Sequence, residues 1–289
     1  MKKSRSLHLD IRGLRYHVRH WPQPGAPKLF LLHGWMDVSA SFQFLVDALE
    51  RRWDVYAPDW RGYGQTDWGR SDCYWFPDYL ADLDFLLDAL EPRDPVNLVG
   101  HSLGGNVVCL YAGIRPERVK KLVNLEGFGL PATRPEQAPG RYREWLDELH
   151  ERPSLRDYAD FAALALRLRQ SNPRLTAERA RYLAGHWGRE DAGGRVVLRG
   201  DPAHKIVNPL LYRYEEVRAC WANVSAPVLW VEADESDTLR RMKLDPAEQA
   251  ERRRAFRDLC HVTVPGAGHM LHHDQPEAVA RLVEDFLAA

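Results

Sequence analysis

The chain lacks any apolar run approaching the roughly 20 residues that a membrane-crossing helix requires. It also has no internal repeat and no low-complexity segment. Charge of one sign is missing too: 40 Lys and Arg face 41 Asp and Glu, a net charge of −1. That balance offers no electrostatic footprint for nucleic acid or an anionic membrane, so neither is expected as a partner. Cysteine is scarce. The four thiols (Cys73, Cys109, Cys220 and Cys260) are far apart and lack metal-ligand spacing, which points to free thiols in a reducing cytoplasm. The basic start Met1-Lys2-Lys3-Ser4-Arg5 leads into Leu7-His8-Leu9-Asp10 instead of an apolar stretch, so no secretion signal is expected and the expected compartment is cytoplasmic. No His-Glu-x-x-His pairing occurs, and neither a metal nor an organic cofactor is expected.

What is present is apolar alternation. With 289 residues and 45% hydrophobic content, the chain has material for one large core and an insertion. Segments 7–12 and 14–20 flank Gly13 as an antiparallel pair. Strands are expected at 28–32, 53–57, 95–99 and 119–125, separated by helical spacing over 41–50 and 76–90. Between 127 and 223 the alternation stops in favour of Arg, Pro, Trp and helical patterns. It resumes with strands at 227–231 and 261–264 and helices at 246–259 and 276–287. The expected class is α/β, a mostly parallel doubly wound sheet, with residues 1–126 and 224–289 forming the core and 127–223 an inserted helical cap.

The most informative stretch is Gly100-His101-Ser102-Leu103-Gly104, set between an apolar strand and a helix-like run. A sharp strand-to-helix turn needs small residues on both sides, and it lifts a serine oxygen clear at the top of a sheet. A serine hydroxyl needs a base to take its proton, and the base needs an orienting acid. His269, on the glycine-rich loop Pro265-Gly266-Ala267-Gly268 after the last strand, is the favoured base. His272 and His273 compete by proximity but lead into the final helix. His101 flanks the serine, so its side chain should point away and pack.

These motifs resemble the α/β-hydrolase fold family across nearly the whole core. The matching pieces are His33-Gly34-Trp35, Asp59-Trp60-Arg61-Gly62-Tyr63-Gly64, the serine turn, and Gly268-His269 with Pro276-Glu277. The resemblance implies an acid on the turn after strand 227–231, where Ser236-Asp237 picks out Asp237. Ala233 stands where the family variant has glycine, so Asp234 stays open as a slipped alternative. The stretch Val123-Asn124-Leu125-Glu126 and the cap resemble haloalkane dehalogenases, which leaves Glu126 as a further alternative. Oxyanion donors are expected from the backbone of Leu103, at a helix start, and of Trp35, where the family places its second donor. Trp35, Phe128, Trp145 and Met270 are candidate substrate contacts. His33 is expected to brace its loop, and the Asp59–Gly64 stretch lacks P-loop spacing and is expected to be structural.

The nucleophile separates branches of the family. Dehalogenases and epoxide hydrolases attack saturated carbon with a carboxylate, and water then attacks the resulting ester. A serine in that place would leave an ether with no carbonyl to attack. Ser102 therefore points to acyl transfer to water on a small-molecule ester of a small to medium apolar acid, through a Ser-His-acid triad. Carbon–carbon, thioester or lactone hydrolysis uses the same constellation and stays open. So does a ligand-binding, receptor-like member with little turnover. The oligomeric state, a homo-oligomer included, is not legible.

Overall fold

A computed structural model describes residues 1–289. An eight-stranded sheet runs through it in the order β1-β2-β4-β3-β5-β6-β10-β11. Its members are β1 (Arg5–Ile11), β2 (Leu14–Trp21), β3 (Lys28–Leu32), β4 (Asp54–Pro58), β5 (Val96–His101), β6 (Val119–Leu125), β10 (Val228–Ala233) and β11 (Leu259–Val264). The first two pairings, β1 with β2 and β2 with β4, are antiparallel. All others are parallel. The parallel strands β4 and β5 are buried along their whole length, as expected of a sheet covered on both faces.

Two apolar layers cover those faces. On one, α2 (Phe76–Leu90) presents Tyr79, Leu83, Leu86 and Leu87, and α3 (Leu103–Ile114) is buried nearly throughout. On the other, α1 (Gln43–Ala48) packs with α11 (Pro276–Ala288), whose Val279, Val283 and Leu287 repeat at four-residue spacing. Glu284 is buried in that helix because it accepts from the Glu50 and Arg51 backbone N–H groups and from Trp53 Nε1, at 2.9, 2.7 and 3.0 Å. A shorter helix, α10 (Leu271–Asp274), precedes α11. The Asp59–Gly64 loop is a brace: Arg61 grips the buried Asp82 through two bonds of 2.5 and 2.6 Å.

Between β6 and β10 the chain leaves the sheet. Here lie α4 (Ala138–His150), α5 (Phe161–Ser171), α6 (Ala177–Trp187) and α7 (Tyr214–Ala222), with a small antiparallel sheet of β7 (Asp157–Tyr158), β9 (Val196–Leu198) and β8 (Gly188–Glu190). The helices α5 and α6 share a satellite core of Leu164, Leu183, Ala184 and Val196. The element α7 departs from the expected cap boundary at 223. It docks on α3, and its Trp221 is fully buried against Trp230 and Phe256 of the main core. The core therefore resumes about ten residues earlier, because a tryptophan of that size finds its burial only against the sheet layer. After β10 come α8 (Thr238–Arg241) and α9 (Pro246–Arg254), the latter ending before the expected 259 because β11 already starts at Leu259.

The α3–α7 contact is backbone to backbone. A Cβ on Gly113 would overlap the carbonyl oxygen of Cys220, and two helices cannot approach that closely with a side chain between them. Gly113→Ala should cost on the order of 2–3 kcal/mol, read as a lower urea midpoint. An unchanged midpoint would refute the docking of α7 on α3.

Candidate active site

The serine turn sits between β5 and α3. Ser102 has φ 53° and ψ −114°, a strained conformation for a residue with a side chain. The turn is held by Ser102 N–H donating to Leu125 O at 2.8 Å and Asn106 N–H donating to Ser102 O at 3.0 Å. Gly100 and Gly104 are there for space: a Cβ on the first would strike the Gly104 carbonyl, and one on the second the Leu32 carbonyl.

Ser102 Oγ lies 3.0 Å from His269 Nε2, and His269 Nδ1 lies 3.1 Å from Glu126 Oε2. Glu126 follows β6 with φ 58° and is 2% exposed. Its Oε1 accepts from Ala233 N–H at 2.7 Å and its Oε2 from Ser236 Oγ at 2.5 Å. Buried and supplied with donors, it is well placed to stay an acceptor for the histidine. Asp237 is not. It occupies the position before α8, half-exposed, with its carboxylate turned to Arg241 Nε at 3.1 Å and Arg240 Nη2 at 3.9 Å. The turn after β10 presents Ser236 to the site and points the next residue outward. Asp234 is also exposed and braces the histidine loop, accepting from Ala267 N–H at 3.3 Å.

Trp35 and Leu103 line the same cavity as Ser102. Leu103 opens α3, so its N–H has no carbonyl one turn earlier in the helix to bind. Trp35 N–H has no protein acceptor, and its loop presses on the serine: a Cβ on Gly34 would lie 3.1 Å from Ser102 Cβ. His33 braces that loop. Its Nδ1 donates to Gly34 O at 2.8 Å and its Nε2 accepts from Trp60 N–H at 2.9 Å. His101 is buried and points away from the serine, and its Nε2 donates to the backbone carbonyl of His269 at 2.8 Å.

Residues 27–276 match the family model described as the alpha/beta hydrolase fold. The chain belongs to the α/β-hydrolase fold family. Among relatives of this hydrolase, a serine hydrolase-like protein of Danio rerio is 30% identical over 275 residues, 92% of this chain and 82% of its own. A 2-(acetamidomethylene)succinate hydrolase of Mesorhizobium japonicum is 27% identical, spanning 98% of this chain and 95% of its own. Of solved structures, the thioesterase domain from the curacin biosynthetic pathway superposes with a TM-score of 0.87 at 26% identity, covering 98% of this chain and 99% of its own. No helix of this hydrolase is long and apolar enough to cross a membrane.

Ser102, Leu103 and Glu126 open onto a cavity of about 270 Å³. Trp35 and Phe128 line it as expected, but Trp145 and Met270 do not. Trp145 sits on α4 outside the cavity lining, and Met270 leads into α10, facing a charged surface crevice with Arg174 and Asp237 instead. The wall that sequence reasoning missed comes from Tyr74, Trp75, Phe76 and Tyr79 at the start of α2, from His204, Ile206 and Asn208 of the inserted segment, and from Thr238 and Met242. The run Tyr74-Trp75-Phe76, three aromatics at the entry to a helix behind a sheet edge, was the available signal.

Burial of neutral imidazoles should lower the stability of the hydrolase in acid. Burial pushes His33 down to about 4 and His204, stacked between Tyr63 and Tyr74, down to about 3. In the unfolded chain both take up protons near pH 6.5. The unfolded state then binds more protons, so stability falls as pH drops from about 6.5 to about 3. Urea midpoints at pH 7 and pH 5 check this: the pH 5 midpoint should be lower, and His33→Gln should shrink the difference.

Proposed function

We propose that this hydrolase cleaves carboxylic esters of small to medium apolar acids through a Ser102–His269–Glu126 triad. The observation that carries the reading is the chain of two contacts, Ser102 Oγ to His269 Nε2 at 3.0 Å and His269 Nδ1 to Glu126 Oε2 at 3.1 Å. Its partner is a small-molecule carbonyl compound, with no cofactor in the chemistry.

Ser102 Oγ attacks the ester carbonyl as His269 Nε2 takes its proton, and the resulting imidazolium is held by Glu126 through Nδ1–H. The Leu103 and Trp35 N–H groups receive the oxyanion, each worth about 3 kcal/mol to the transition state. His269 returns the proton to the leaving alcohol, which departs. Water, deprotonated by the same histidine, then clears the acyl-enzyme. The cavity wall is mostly aromatic and aliphatic, which suits an apolar acyl group. A thioester is the second reading, favoured by the likeness to a thioesterase domain over nearly its full length. The same attack on a carbonyl serves both, and only the leaving group differs.

The test is fluorophosphonate labelling together with turnover of p-nitrophenyl esters and matched acyl thioesters. Ser102→Ala should abolish labelling and turnover, and His269→Ala should collapse both. Labelling without turnover would favour a binding protein, and neither would overturn the mechanism. The acid has its own comparison. Glu126→Gln should lower kcat by roughly 10³-fold or more, whereas Asp237→Asn should stay within about twofold because its carboxylate faces Arg241. Equal losses in the two variants would reject Glu126 as the orienting group.

A further inference from the structure

Beside His269, three buried side chains converge. Asp37, His101 and His272 are exposed by 2%, 1% and 0%, and one ligand atom from each lies within 4.8 Å of the others. The hydrogen bonds decide which lone pairs are free. His101 Nε2 faces a carbonyl oxygen, which can only accept, so Nε2 carries the ring proton and Nδ1 keeps a bare lone pair. That Nδ1 is buried without a partner. Ser41 Oγ spends its one proton on Asp37 Oδ2 at 2.7 Å. The Nε2 atoms of His272 and His273, 2.9 and 2.6 Å from the same oxygen, must then both donate to it. This leaves His272 Nδ1 a second bare and buried lone pair, again without a partner. Asp37 is satisfied by Val38 N–H and Ser41 Oγ at 2.8 and 2.7 Å, but two ring nitrogens beside it are left without any partner. Buried acceptors are rarely left so.

We propose that Asp37, His101 and His272 form a buried binding site for one divalent transition metal ion. Two imidazoles and a carboxylate suit zinc, cobalt or nickel far better than magnesium or calcium. Bond lengths of about 2.0–2.2 Å require the three ligands to close by about an ångström on loading. A small cavity of about 20 Å³ borders Asp37 on the side of the inserted segment, between Val38, Tyr63 and Trp187. The site also touches the chemistry. The His101 ring lies 4.9 Å from the His269 ring, so a cation there faces the imidazolium formed in turnover. Loading should lower kcat and leave KM unchanged. That consequence rests on the proposed triad, but metal binding does not.

Chelator-stripped protein titrated with Co²⁺ should develop visible d–d bands that saturate at one equivalent. His101→Gln and Asp37→Asn should each weaken binding by at least about 10-fold, while Ser102→Ala and His269→Ala should bind as wild type does. Anomalous diffraction from cobalt-soaked crystals of the unmutated protein decides without relying on any variant. A peak between Asp37, His101 and His272 is expected. An ordered water there with no anomalous signal, or no saturable cobalt binding, overturns the proposal. Binding lost in His269→Ala but kept in His101→Gln would overturn it as well, since the ion would then sit at the triad.

Discussion

The close packing of the turn between β5 and α3 is the constraint on which the rest of the site depends. β5 lies between β3 and β6, and the turn at its end is wedged against the carbonyls of Leu32 and Gly104 with no room for a Cβ at 100 or 104. Ser102 takes up the difference as a positive φ, at a cost of order 1–3 kcal/mol that the surrounding sheet must outweigh. It does so with the bond from Ser102 N–H to Leu125 O and with the buried apolar layers that fix both strands. The same wedge brings the loop after β3 against the serine, which is how Gly34 and Trp35 reach it.

Neighbouring parallel strands explain why a carboxylate after β6 can reach His269. In the register between β6 and β10, Leu125 stands opposite Val231, so the two strands end at nearly the same height. A carboxylate on either could reach a histidine arriving from the loop after β11. Here the turn after β10 brings Ser236 to Glu126 instead of a carboxylate to His269. The backbone N–H of Ala233 adds a second donor to the same carboxylate. The two strand ends thus share the arrangement: one supplies the carboxylate, the other holds it.

The supporting shell is unusually rich in buried imidazole. His33 holds the loop after β3, His101 holds the carbonyl of His269, and His272 and His273 converge on Ser41. Each of these rings is buried, and burial depresses protonation of all four. They act as neutral donors and acceptors that fix loops where apolar side chains could fill space but could not orient a backbone. The loop of His269 is also tied by Gly268 N–H to Asp274 Oδ2 at 2.9 Å, so the ring is held from both sides of the chain.

The sequence by itself determined the alternation of strand and helix, the parallel sheet and the positions of Ser102 and His269. Those rest on local physics: apolar periodicity and the sterics of a glycine-flanked turn are properties of a few consecutive residues. The docking of α7 was not legible, because nothing in Tyr214–Ala222 says which layer will bury Trp221. Which of three carboxylates near strand ends, Glu126, Asp237 or Asp234, meets His269 turned on side-chain direction. That direction is set by the path of the turn after β10 and by Ser236 and Ala233, which lie more than a hundred residues from Glu126. The cavity wall and the Asp37–His101–His272 cluster likewise join segments far apart in the chain, and only tertiary packing decides which of their atoms meet.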